Sequence, residues 1–235
     1  MMILDTFKLD SATFQITYND AYLIWDRAGE IAEQVCKIWP DLKFDDARPE
    51  KQTFKGKDVT IITGLNSSII TLTGPNSLSQ GNIRLIKDTF EVWSQKLNLL
   101  ELSRVSTLAT YKKKFPTIKD ANADLLALKM ARWPNEKIFD QPMDADLNSV
   151  ELFYRFQDEE SFSTLRLKTE GTEYVVKLDS SYVDEPEIRR SKNVIVIAFD
   201  RGILGSVNAE KFRVDDWIKG FQHVLRRDIE KLTKA

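Results

Sequence analysis

The order of apolar and polar residues predicts strands and helices along the first half of the chain. Apolar residues recur at every second position from Ala12 to Tyr18, which indicates a half-buried strand. From Asp20 to Trp39 they recur three and four apart, which predicts an amphipathic helix that ends at Pro40. The same spacing from Ile83 to Leu97 predicts a second helix of about four turns.

Further strands are predicted on both sides of the second helix. Val59 to Thr63 and Ser68 to Thr73 have strand character, and the turn-rich segment Gly64-Leu65-Asn66-Ser67 between them predicts a hairpin. Lys43 to Phe44 also has strand character, and Leu99 to Tyr111 approximates the alternation of a strand. A short helix rich in Ala and Leu is predicted from Asp120 to Ala131.

The second half repeats the order of strands followed by a helix. Three strands are predicted at Val150 to Phe156, Phe162 to Leu167 and Tyr174 to Leu178, with a tight turn at Glu170-Gly171-Thr172. A polar loop is expected from Asp179 to Lys192. The apolar run Asn193 to Phe199 is predicted to be the most central strand, and Val214 to Leu232 a final amphipathic helix.

These elements predict an α+β fold of two similar halves, each a mostly antiparallel sheet covered by amphipathic helices. The expected division is an N-terminal half at 1–120, a connector at 121–148 and a C-terminal half at 149–235. An internal duplication is a further hypothesis, because one fixed offset superimposes four positions of the halves. It aligns Ile70 with Val194, Leu72 with Val196, Gly81 with Gly205 and Trp93 with Trp217.

Composition narrows the class of protein. The chain has 235 residues and a formal net charge of −2, so no overall field draws it to nucleic acid or to an anionic membrane. A single cysteine excludes an intramolecular disulfide framework and fits a reducing compartment. No signal-peptide pattern and no apolar run of spanning length occur, so a cytoplasmic protein without membrane contact is expected.

The motifs of common enzymes are missing from the sequence. The single histidine, His223, lies on the flank of the last predicted helix, and Cys36 lies on the apolar stripe of the first, where an inert buried thiol is expected. There is no nucleophile motif and no glycine-rich phosphate loop. We therefore predict no catalytic residue, no metal site and no cofactor.

Clusters of basic residues are the candidates for nucleic-acid binding. They are Lys112, Lys113 and Lys114 beside two aromatic residues, Arg189 and Arg190 with Lys192, Arg226 with Arg227, and Arg104. Acidic residues lie close to the lysine cluster and to both arginine pairs in sequence, and the chain lacks the basic excess that is typical of nucleic-acid-binding proteins. This hypothesis is favoured if Arg104, Lys112, Arg189 and Arg190 line one groove.

The five tryptophans mostly fall on helix stripes, where they are expected to pack in the core. Trp133, next to Pro134 in the connector, is the exception and is a candidate anchor for a protein partner.

Three segments carry a resemblance to a known family. They are Ile69-Ile70-Thr71-Leu72 through Phe90-Glu91-Val92-Trp93, then Leu102-Ser103-Arg104-Val105, and the closing helix with Trp217-Ile218, His223 and Arg227-Asp228-Ile229. Together they resemble a sporadically distributed family of uncharacterised bacterial proteins. The resemblance implies an α+β architecture and a bacterial origin, and it supplies no activity and no catalytic residue.

The leading hypothesis for function is a non-enzymatic protein-interaction module of bacterial origin, with an immunity or defence role and an unidentified protein partner. The alternative is a nucleic-acid-binding protein or a metal-dependent nuclease that uses the basic clusters together with acids near Asp184.

Overall fold

The structure is a computed structural model that describes residues 3–48, 50–128, 149–177 and 187–234. Within these ranges the strands are β1 (Lys8–Thr17), β2 (Lys43–Arg48), β3 (Lys51–Lys55), β4 (Val59–Gly64), β5 (Ser67–Thr73), β6 (Glu101–Phe115), β7 (Glu151–Gln157), β8 (Ser161–Lys177) and β9 (Glu187–Asn208). The α-helices are α1 (Leu23–Ile38), α2 (Gln80–Lys96), α3 (Ile118–Leu126) and α4 (Val214–Lys234).

All nine strands form one sheet in the order β2-β3-β4-β5-β1-β6-β9-β8-β7. Every neighbouring pair is antiparallel. The α+β class and the antiparallel sheet are therefore confirmed, and so is the β4–β5 hairpin. The middle strand is β1, so the prediction that Asn193 to Phe199 is the most central strand was wrong, although β9 is paired on both sides.

The four helices pack on one face of the sheet, because that face carries the apolar positions of the strands. Phe14 and Ile16 of β1 are almost fully buried there. The ring of Phe14 meets Phe90 of α2 at 6.5 Å between centroids. In α4, the Trp217 indole N–H donates to Thr107 of β6 at 2.8 Å. No described helix covers the opposite face, which is called the open face below.

Tryptophan side chains tie the helices to their surroundings in the same chemical way. Trp93 of α2 is fully buried and donates its indole N–H to Thr63 Oγ1 at 2.8 Å, and Trp39 donates to Thr89 Oγ1 at 2.8 Å. A buried indole is stable only when its N–H has such an acceptor. Trp25 departs from the predicted core packing, since 56% of it is exposed.

The long strands of the second half differ from the predicted short ones. β8 runs without interruption through the predicted turn at Glu170-Gly171-Thr172, and β9 begins at Glu187, inside the predicted loop. Both strands extend because each continues to pair with the other, from Ser161 opposite Ile203 to Lys177 opposite Glu187. The cross-strand pairs therefore keep Glu170 to Thr172 in an extended strand, although these residues favour a turn locally.

The two predicted halves share the sheet, because β6 of the first pairs with β9 of the second over fourteen residue pairs. The structure does not confirm the duplication. Gly81 lies in helix α2, whereas Gly205 lies in strand β9 with a φ of 88°. The division at 121–148 stays a prediction, and residues 129–148 of that connector lie outside the described residues.

Gly202 of β9 is a position where the fold has no room for a side chain. A Cβ atom there would lie 2.2 Å from Phe162 Cε1 and 2.9 Å from the carbonyl oxygen of Val105. We expect Gly202→Ala to lower the free energy of unfolding by about 1–3 kcal/mol, because the Phe162 ring must move and the sheet must yield. Urea denaturation measures this loss.

Phe162→Leu provides the matched background for that measurement. The smaller side chain makes room, so Gly202→Ala should cost less in the Phe162→Leu protein than in the wild type. An equal cost in both backgrounds would show that the ring does not set the limit.

Candidate functional site: a lysine cleft at one end of the sheet

A cavity of about 590 Å³ opens where the start of β1, the end of β5, the end of β6 and the first part of β9 meet. We call it the lysine cleft, and its lining residues are Thr6, Lys8, Leu9, Asp10, Thr73, Gly74, Pro75, Lys112, Lys113, Lys114, Lys192 and Val194. Five of these twelve residues are lysines and one is an acid, so the cleft is basic in a chain whose net charge is −2.

Antiparallel pairing brings the lysines together. The chain enters β1 at the end of the sheet where β6 ends, so Lys8 stands directly opposite Lys112. On the other side of β6, Lys114 pairs with Val194 of β9, two residues after Lys192. Because side chains alternate between faces along a strand, Lys8, Lys112 and Lys114 all share the open face.

Asp10 offsets the repulsion between the two facing lysines. Like charges directly opposite each other destabilise a strand pair. The β1–β6 register shifts between Leu9 and Ser11, so Asp10 is an extra residue there, and its Oδ2 lies 2.6 Å from Lys112 Nζ. Such a bulge re-aims a side chain within an otherwise regular ladder. Lys112 is thereby neutralised in place.

The turn after β5 forms one wall of the cleft and is anchored on β1. Gly74 has a φ of 93°, a left-handed conformation that glycine adopts without strain. Its N–H donates to the carbonyl oxygen of Asp10 at 2.7 Å. The carbonyl oxygen of Gly74 in turn accepts from the Ser77 hydroxyl at 2.6 Å. The wall is therefore held by a backbone hydrogen bond to β1 and by the Ser77 hydroxyl.

Three ammonium groups of the cleft make no ion pair within the described part of the chain: Lys8, Lys114 and Lys192. All three residues are exposed. Beneath them Val194 and Val196 are buried on the open face, which is the arrangement expected when the aliphatic stems of long lysine side chains cover apolar residues. No carboxylate of the described residues therefore neutralises these three charges.

Lys113 has a different role from its two neighbours. Alternation turns its side chain to the helix-covered face, where Nζ lies 2.8 Å from Asp124 of α3. The same ammonium lies 5.0 Å from the centroid of the Phe115 ring. Lys113 thereby fixes α3 to the end of β6, and although the residue lines the cleft, its ammonium group is paired with Asp124.

The structure does not bring Arg104 to the lysine cleft. Arg104 lies eight residues before Lys112 on β6, or about 27 Å at the rise of an antiparallel strand. Its guanidinium stacks over the Phe162 ring at 4.5 Å from the centroid and lies 4.0 Å from Asp200 Oδ2. Arg104 and Lys112 therefore do not line one groove, so the arrangement that would favour the nucleic-acid hypothesis does not include Arg104.

The other predicted site residues are only partly described. Backbone pairing places Arg189 opposite Val175 and Arg190 opposite Tyr174, just beyond the end of the cleft marked by Lys192. Trp133 and the acids near Asp184 lie outside the described residues. His223 is exposed on the flank of α4, and Cys36 is half-buried.

Sequence reasoning missed one member of the cleft, Lys8, and it placed another, Lys192, with the Arg189–Arg190 pair instead of with the lysine cluster. Lys8 precedes the predicted start of its strand, and Lys192 falls at the end of the predicted loop. The signal that would have found them is the pairing register, since an antiparallel β1–β6 pair places the residues before β1 beside those at the end of β6.

The described residues contain no group of three or more His, Cys, Asp or Glu side chains that could hold a metal ion. Among the described helices, none combines the length and the apolar character needed to span a membrane.

The fold and site define a class, an α+β protein with one antiparallel sheet, helices on one face and a basic cleft at the sheet's end. No protein-family model and no curated protein matches the chain. A solved structure, crystal form I of TP0453, aligns with 91% of this chain and 94% of its own at 8% identity, with a TM-score of 0.16. The resemblance to a bacterial family therefore stays a prediction.

Asp200, whose side chain lies on the open face, makes the stability of the folded protein depend on pH. Burial raises the pKa of Asp200 above its ordinary value of 3.8, and the charge of Arg104 opposes that rise only in part. Between the two values the folded protein binds more protons than the unfolded chain, so this group's contribution to stability falls as the pH rises.

We therefore expect Asp200→Asn to gain stability relative to the wild type as the pH rises from below 3.8 to neutral. Chemical denaturation of both proteins across that range measures the difference. A difference that stays constant, or that moves towards the wild type with rising pH, would contradict the assigned burial effect.

Proposed function

We propose that the chain is a non-enzymatic protein-interaction module that binds a short acidic segment of a partner protein in the lysine cleft. The observation that carries the proposal is a set of three lysines with no ion pair among the described residues, Lys8, Lys114 and Lys192, around a cavity lined by a single carboxylate, Asp10. A flexible acidic segment supplies several carboxylates that these ammonium groups can pair with, and such complementarity steers association.

Acids limit the cleft on the side of the Gly74 turn. Beyond that turn a second depression is lined by Asp41 and Asp58 together with Lys57. A long polyanion that continued past the turn would meet these carboxylates, which favours a short ligand on that side.

The lining of the cleft favours a protein segment over nucleic acid. Proteins that bind single strands stack bases on aromatic rings and follow the backbone with a basic track. None of the twelve lining residues is aromatic. Lysine ammonium groups are point charges on flexible stems, which suits an acidic segment without fixed geometry. The immunity or defence setting stays a prediction.

The first test replaces the three unpaired lysines. We expect Lys8→Ala, Lys114→Ala and Lys192→Ala in one protein to weaken binding of a fluorescent oligo-glutamate peptide by about tenfold or more, or ~1.4 kcal/mol. Fluorescence anisotropy at low and moderate salt measures the affinity, which should fall with added salt.

A matched triple variant controls for the loss of positive charge. Lys43, Lys51 and Lys211 lie outside the cleft and have no ion pair in the described residues, so their replacement by Ala should leave the affinity near that of the wild type. Equal weakening in both triple variants would show that the peptide senses net charge alone. It would then refute the assignment of the cleft.

A second test predicts a change in the opposite direction. Asp10→Asn frees Lys112 and removes the one carboxylate of the cleft, so we expect the peptide to bind about two- to fivefold tighter. Unchanged or weaker binding by a folded Asp10→Asn protein would count against the cleft as the binding site.

The nucleic-acid alternative is tested with an oligothymidylate that matches the peptide in charge. The proposal predicts that the oligothymidylate binds no more tightly than the peptide at the same salt concentration. Tighter binding that depends on the same three lysines would replace the protein partner with single-stranded nucleic acid.

A further inference from the structure

The two edges of the sheet differ in how they are protected. β2 forms one edge and carries a register shift between Phe44 and Asp46. It is also rich in charge, with Lys43, Asp45, Asp46 and Arg48 among its six residues. Bulges and charged residues are the devices by which proteins keep an edge strand from pairing with another chain.

β7 forms the other edge, has no register shift and carries only two charged residues, Glu151 and Arg155. It pairs with β8 without a register shift, from Glu151 opposite Lys168 to Gln157 opposite Phe162. It contains no lysine and no proline. Phe153 and Phe156 are 55% and 60% exposed. Within the described residues no element pairs with its outer side. An unprotected strand with exposed aromatic side chains is a template for strand addition.

The sequence of β7 complements itself when two copies run antiparallel about Phe153. In that register Glu151 faces Arg155 of the second copy, and Arg155 faces Glu151 of the second copy. Phe153 faces its own equivalent on the twofold axis. All three residues share the open face of the sheet, because they are two apart along one strand. Opposite-charge and aromatic pairs are among the cross-strand contacts that stabilise sheets.

We propose that β7 pairs with β7 of a second copy of this chain, which joins the two nine-stranded sheets into one. A twofold contact of this kind closes on itself and leaves neither copy with a free β7 edge. Sliding one strand by two residues, which centres the register on Tyr154, would set Glu151 against Gln157 and Arg155 against Phe153. The charge pairs therefore select the register centred on Phe153.

The proposed dimer is concentration-dependent. A contact made by one short strand from each copy is expected to fall below the roughly 1,200–2,000 Å² that stable interfaces bury. It is also independent of the lysine cleft, which is formed by strands on the other side of β8. Loss of dimerisation would consequently leave the proposed binding of an acidic segment unaffected. Loss of that binding would likewise leave dimerisation unaffected.

Sedimentation equilibrium over a range of protein concentrations tests the proposal. We expect the average mass of the wild type to rise above 27.1 kDa with concentration towards twice that value. A wild type that remains at 27.1 kDa up to its solubility limit would overturn the proposal.

Charge reversal tests the register. Arg155→Glu places a glutamate opposite Glu151 of the second copy in both symmetric pairs, so association should weaken by about tenfold. Glu151→Arg creates the corresponding arginine pairs and should also weaken association. When the two variants are mixed, each pair becomes opposite in charge, and we expect mixed dimers to form where neither variant dimerises alone.

Two controls keep this result interpretable. Arg48→Glu on the β2 edge should leave the association of the wild type unchanged. Glu151→Arg loses the 2.7 Å ion pair with Arg166, so its fold is checked by circular dichroism. Phe153→Glu gives a second route, since it places two like charges on the twofold axis. Unaltered association of either folded Arg155→Glu or Phe153→Glu would overturn the proposal.

Discussion

The pairing of β6 with β1 on one side and with β9 on the other is the interaction on which the rest of the structure depends. It joins residues about a hundred positions apart, such as Lys8 with Lys112, and it makes one sheet out of the first and last parts of the chain. It also fixes which face of each strand the helices cover, since Thr107 of β6 accepts from Trp217 of α4. A one-residue slip would turn the lysines from the open face to the core.

The positive charges at the end of β6 repel one another and are therefore unfavourable for folding. A role in binding would explain why they are present. Lys8 and Lys112 face each other, and Lys113 and Lys114 follow directly. Asp10 and Asp124 neutralise two of these lysines, and each pair is only partly buried, so its contribution is modest. The remaining lysines have no such partner in the part of the chain that the structure describes. Positions that break the rules of sheet stability without compensation are expected at functional sites, which is the physical basis for assigning binding to the lysine cleft.

The sequence predicted well the elements that depend on neighbouring residues. It predicted poorly the features that depend on pairing between distant strands. The β4–β5 hairpin and helices α1, α2 and α4 follow from periodicity and turn residues, which act over a few positions. The length of β8 and β9 depends on their mutual pairing, and local signals such as Gly171 pointed instead to a turn. The basic run Lys112 to Lys114 was found as a candidate because it is contiguous. The role of Lys8, the meeting of Lys192 with the lysine cluster and the separation of Arg104 could not be predicted, because they follow from register alone.

Lysine footprinting tests the central claim most directly. The protein is acetylated with and without a saturating acidic peptide, and the modified lysines are quantified by mass spectrometry. The account predicts that the peptide protects Lys8, Lys114 and Lys192, while Lys43 and Lys211 react at the same rate in both samples. Uniform protection of all exposed lysines, or protection confined to lysines outside the cleft, would contradict it.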